Sequence, residues 1–105
     1  MGKRLVRDKA LQHWVVPGAE HQVRPVHDEE EHIALLTSKL LEEVAEVFLT
    51  NTLDDLTKEL ADVVSVLQAM AHVQGIPWND VLMKAMERND QGGGFILGLV
   101  WETSR

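Results

Sequence analysis

Five carboxylates in two short clusters carry the most chemistry in this chain. Glu42, Glu43 and Glu46 form the first, and Glu59 and Asp62 form the second, which begins thirteen residues later. Within each cluster two acids stand three residues apart, a spacing that puts them on neighbouring turns of one helix face. Converging acids repel one another: at ~5 Å and an effective dielectric of ~20, each like-charged pair costs about 3 kcal/mol. A hard divalent cation, Mg²⁺ above all, removes that cost and prefers oxygen ligands. The spacing therefore predicts a helical protein built around an acidic metal site.

Helices have to position these acids. Ile33, Leu36, Leu40, Val44 and Val47 recur every three or four residues and predict a first helix over about 28–49. Asp28 is its expected N-cap, and Glu29, Glu30 and Glu31 suit the positive end of its dipole. Thr50-Asn51-Thr52 then breaks the pattern. A second helix is expected over about 53–74, capped by Thr52, with Leu53, Leu56, Leu60, Val63, Val64, Leu67 and Ala71 as its stripe and Gly75 as its stop. So short a connection makes the two helices an antiparallel hairpin. Glu43 and Glu46 then stand just before the turn, and Glu59 and Asp62 just after it, at comparable heights. Glu43 falls at the border of the apolar stripe, where a carboxylate is partly desolvated and needs a partner. No lysine or arginine occupies an evident opposing position, which favours a metal ion.

A third helix over about 78–89 follows Pro77, with Val81, Leu82, Ala85 and Met86 turned inward. Residues 90–94 read as a flexible loop. The β-prone tail 95–101 is a candidate for short β-pairing with Leu5-Val6, and residues 10–27, with Pro17, Gly18 and Pro25, read as irregular connection.

Composition narrows the function classes. A chain of 105 residues suits a single domain with a thin core. The net charge of −7, without a long basic run, argues against a nucleic-acid partner. Cysteine is absent, which excludes disulfides and thiolate metal sites and fits a reducing compartment. No apolar run approaches the ~18 residues of a membrane span, and the N-terminus lacks a signal-peptide core. A cytoplasmic protein with no membrane partner is expected.

Other chemistry-bearing residues are less specific. The histidines His13, His21, His27, His32 and His72 share no metal-ligand spacing with one another. Glu29 and His32 form one E-x-x-H unit, but a di-iron bundle needs two. Gly92, Gly93 and Gly94 are not followed by the Lys-Ser/Thr of a phosphate-binding loop. Trp14, Trp78 and Trp101 suit core or interface anchors. Lys3, Arg4, Arg7 and Lys9 make the N-terminus basic, as a polyphosphate clamp or a solvated end would be.

The ordered segments Arg4-Leu5-Val6-Arg7-Asp8-Lys9, Lys39-Leu40-Leu41-Glu42-Glu43, Glu59-Leu60-Ala61-Asp62-Val63 and Gly92-Gly93-Gly94-Phe95 together resemble the MazG-like all-α nucleoside triphosphate pyrophosphohydrolases. Within them, they are most similar to the short phosphoribosyl-ATP pyrophosphohydrolase-like branch. Departures are Arg4 for a usual lysine, Ala10-Leu11 for isoleucine-proline, and Gly92 for the arginine before G-G-F. The resemblance implies hydrolysis of a nucleoside triphosphate to monophosphate and pyrophosphate with Mg²⁺, or Mn²⁺ in its place. It implies Glu43, Glu46, Glu59 and Asp62 as metal ligands and Glu42 as a water-orienting base or outer-shell ligand. Lys39, Arg7, Lys9 and Arg88 are the candidates for the phosphate chain. The resemblance further implies a homodimer or dimer of dimers. The fold expected is thus all-α, a hairpin plus a third helix in one domain over 1–105, with the bundle completed by dimerisation through Leu41, Phe48, Val66 and Met70. Two rival readings are hydrolysis of phosphoribosyl-ATP in histidine synthesis and a non-catalytic helical interaction module.

Overall fold

The computed structural model describes residues 3–9 and 23–104. The expected connection from 10 to 22, with His13, Trp14 and His21, lies outside the described residues. Three helices follow in order: α1 (Glu29–Val47), α2 (Leu53–Val73) and α3 (Trp78–Gly92). No strand forms among the described residues. The fold is all-α.

Local chemistry sets the helix ends. Asp28, in extended backbone, accepts the Glu31 N–H on its side chain, and three glutamates fill the first turn of α1. Thr52 caps α2 in the same way by accepting the Asp55 N–H at 3.1 Å. Between them, Thr50 turns its hydroxyl onto the Val47 carbonyl and closes the end of α1. At the far end of α2, the Gly75 N–H donates to His72 and the Ile76 N–H to Ala71. This double bond pattern needs a left-handed residue between, and Gly75 supplies it at φ 73°.

The hairpin of α1 and α2 is the body of the protein, and among the helices α3 touches only α2. Leu36, Val66 and Ala71 are buried, and so is Glu43. The buried face of α2 matches the expected stripe only in part: Leu56 and Val63 are half-buried and Ala71 is buried, but Leu53, Leu60, Val64 and Leu67 are exposed, and Val66, outside the stripe, is buried. Residues 53–73 are apolar on two adjoining faces, and the docked face is the one carrying Glu59 and Asp62. Val66, expected between subunits, is therefore inside this chain, whereas Leu41 and Phe48 remain open to solvent.

Two further expectations change. Helix α3 runs on through Asp90 and Gln91 to Gly92, because the first residue to leave helical geometry is Gly93 at φ 79°. The tail 95–101 forms no pairing with Leu5-Val6, and Phe95, Ile96, Leu97, Leu99, Val100 and Trp101 are all exposed.

Candidate metal centre

Each half of the acidic site comes from one arm of the hairpin. Glu43 sits four residues before the end of α1 and Asp62 nine residues into α2, so the turn at Phe48–Thr52 brings them level. One oxygen each from Glu43, Glu59 and Asp62 lies within 4.8 Å of the others. Glu43 is 9% exposed, a level almost never reached by an acid without a partner. Burial first, and then the neighbouring acids Glu43, Asp62 and Glu46, push the Glu59 carboxyl above its ordinary value. Its Oε2 is buried with no hydrogen-bond partner among the described residues.

That orphaned oxygen is the test of whether a cation fits. A buried carboxylate oxygen without a donor is costly, and a metal ion is the one partner that satisfies three acids together. Ligand oxygens on opposite sides of one Mg²⁺ are about 4.2 Å apart, from the ~2.1 Å bond length. A triad confined within 4.8 Å needs only small side-chain adjustment to match. The donor set is all oxygen, which suits Mg²⁺ or Mn²⁺ over softer metals.

Positive charge is nearer than the sequence suggested. Lys39 lies 3.3 Å from Glu43 and 3.5 Å from Glu42 along α1. Arg7 donates to Asp62 Oδ1 at 2.6 Å, and Arg4 lies 3.9 Å from Glu42. The expectation of no opposing cation is thus corrected. Lys39 precedes Glu43 by four residues, a spacing legible in the sequence; Arg7 meets Asp62 across 55 residues, which no local pattern reveals.

Of the other predicted site residues, Glu42 is half-buried beside the cluster and bound to Lys39. Glu46 is exposed and outside the converging triad, though close enough for its charge to act on Glu59. Lys9 and Arg88 are exposed and make no ion pair among the described residues. A hollow of about 390 Å³ on α3, lined by Met83, Met86, Glu87, Asp90 and Gln91, shares no residue with the acidic cluster.

A second ion cluster, missed in the sequence, fixes the N-terminal segment to α1. Glu31 accepts two hydrogen bonds from the Arg24 guanidinium, one from the His27 N–H and one from Lys3. These bonds, Arg24 first, hold its carboxyl well below the usual range.

No individual curated protein and no solved structure matches the chain at a significant level. The family model for phosphoribosyl-ATP pyrophosphohydrolase does, over residues 9–89. That span holds both acidic clusters and all three helices up to the last turn of α3. The chain belongs to this family, within the MazG-like all-α superfamily, whose members are pyrophosphohydrolases acting on a phosphoric anhydride.

Proposed function

We propose that the protein hydrolyses a nucleoside triphosphate to the monophosphate and pyrophosphate with Mg²⁺, as nucleotide-pool housekeeping in the cytoplasm. The observation that carries this reading is the convergence of Glu43, Glu59 and Asp62 around an unpartnered buried oxygen. These three, with Glu46 at the rim, would hold the metal. When bound, the metal neutralises charge developing on the phosphate chain and acidifies an attacking water.

The chain's own residues do the rest. Glu42, exposed enough to meet solvent and next to the triad, takes a proton from water as its oxygen attacks phosphorus. The bond from the attacked phosphorus to the bridging oxygen breaks, and that oxygen leaves with the electron pair, on pyrophosphate for attack at the α-phosphorus and on the monophosphate for attack at the β-phosphorus. Attack on the phosphorus at either side of that bridge gives the same products. Lys39, 3.5 Å from Glu42 and 3.3 Å from Glu43, orients both carboxylates. Arg7, Lys9 and Arg88 are the cations assigned to the phosphate chain; Lys9 and Arg88 are exposed and have no ion-pair partner among the described residues.

A second copy of the chain completes the bundle. The exposed apolar residues Leu41 and Phe48 on α1 and Leu60, Val64 and Leu67 on α2 form open faces beside the buried one. Apolar side chains exposed together on two adjoining helix faces are what a partner surface would cover.

Phosphoribosyl-ATP is the second reading, favoured by the family to which the chain belongs. It presents the same triphosphate anhydride, and the acidic site treats both alike. The experiment is pyrophosphate release with Mg²⁺ from canonical, deoxy and damaged nucleoside triphosphates and from phosphoribosyl-ATP, with EDTA as control. Release from a nucleoside triphosphate, lost with EDTA, is the expected result. Release from phosphoribosyl-ATP alone replaces the substrate, and silence from folded protein overturns the enzymatic reading in favour of an interaction module.

A further inference from the structure

Three basic side chains of the N-terminal segment touch the hairpin at successive points. Lys3 reaches Glu31 in the first turn of α1 at 3.2 Å, Arg4 lies 3.9 Å from Glu42, and Arg7 reaches Asp62 on α2 at 2.6 Å. Leu5 between them is half-buried. Residues 3–7 thus run as a strap over the hairpin and end on one acid of the converging triad. Arg7 lies outside the span matched by the family model.

Arg7 and Lys39 are both cations in this site, but they are held differently. Lys39 stands one turn from Glu43 on the same helix, and its side chain is 22% exposed. Arg7 extends from backbone without helix or strand, and its side chain is 69% exposed. Its guanidinium also answers only one acid, leaving Glu59 Oε2 without a partner. A planar fork cannot enter a triad whose oxygens lie within 4.8 Å of one another, whereas a compact divalent ion can.

Resting on the metal-dependent reading above, we propose that Arg7 is an exchangeable counter-ion. It neutralises Asp62 in the metal-free protein and, once a divalent cation takes Asp62, turns its guanidinium to the phosphate chain. The five donors of that fork match phosphate oxygens better than they match a single carboxylate oxygen already claimed by a metal. The strap so couples the two occupants of the site: the cation that organises the acids also frees the arginine that binds the substrate.

The test is calorimetric titration of Mn²⁺ into the full chain without nucleotide, for wild type, Arg7→Gln and Arg7→Lys. Circular dichroism should report unchanged helix content, since Arg7 is mostly exposed. Arg7→Gln removes the competitor and should tighten Mn²⁺ by about two- to fivefold, the range that an exposed ion pair allows. At saturating Mn²⁺ the same variant should bind inorganic pyrophosphate about tenfold more weakly, as loss of a charge-assisted contact predicts, with Arg7→Lys in between. Equal or weaker Mn²⁺ affinity in Arg7→Gln overturns the exchange while leaving the metal site standing, and so does unchanged pyrophosphate affinity. Wild-type protein that takes up no Mn²⁺ overturns the exchange together with the reading on which it rests.

Discussion

Glu43 on α1 and Glu59 on α2 bring an oxygen each into one triad across the hairpin, and Glu43 has the Lys39 ammonium 3.3 Å away. Glu59 keeps a buried oxygen that no donor among the described residues meets. The asymmetry identifies Glu59 as the acid whose charge the metal-free fold tolerates least.

Replacing it should therefore separate stability from activity. Glu59→Gln removes a repelling charge from a desolvated position and should raise Tm by a few degrees without added metal. It should at the same time abolish Mg²⁺-dependent stabilisation and pyrophosphate release, and Asp62→Asn should lose both functions likewise. Thermal scans with and without Mg²⁺, paired with turnover, check this; a Glu59→Gln protein that still gains Tm from Mg²⁺ would remove Glu59 from the ligand set.

Glu31 gives the fold a pH dependence at acid pH. Its carboxyl is held below the ordinary value of 4.5 by Arg24, His27 and Lys3, so the ionised form stabilises the fold. That contribution is fully present above pH 4.5 and fades as pH falls through the depressed folded value. Glu31→Gln should accordingly lower Tm at neutral pH, with the gap to wild type closing as the solution is acidified below about 4.5. A gap that stays constant with pH would assign the loss to packing.

Gly75 tests the backbone. Its φ of 73° is left-handed, yet nothing lies within 4 Å of where a Cβ would stand. Gly75→Ala should cost about 1 kcal/mol, from backbone strain with no steric clash. Denaturant unfolding should show a lower midpoint with an unchanged slope.

Leu41→Glu combined with Phe48→Glu places charge on the open face of α1. Light scattering should give a single-chain mass for this variant and a multiple of it for wild type. A single-chain mass for wild type would instead leave those residues as surface without a partner copy.

The hairpin was legible in the sequence because its signals are local. Three-and-four spacing, the caps Asp28 and Thr52 and the stop at Gly75 each act within a few residues, and α1 and α2 begin and end within two residues of expectation. Burial of Glu43 followed from its place at the stripe border. What escaped needed tertiary information. Residues 53–73 present two apolar faces, and a helical wheel alone does not say whether Val66 or Leu67 docks on α1. The Arg7–Asp62 contact and the Arg24–Glu31 cluster tie the N-terminal segment to helices far along the chain. The tail 95–101 has strand-like composition, but a strand needs a partner edge, and among the described residues none is formed.

The turn at Phe48–Thr52 also has a kinetic meaning. Glu43 and Asp62 are nineteen residues apart in the chain, so the loop that unites the triad is short and its closure entropy small. Helical hairpins of this kind form through local contacts, which favours rapid folding. The acids meet in the same event that zips α1 against α2, and their repulsion opposes that event directly. A divalent ion held by these acids, as proposed above, would act on the closing hairpin as well as on the finished protein, and would so set how fast its own binding site comes into being.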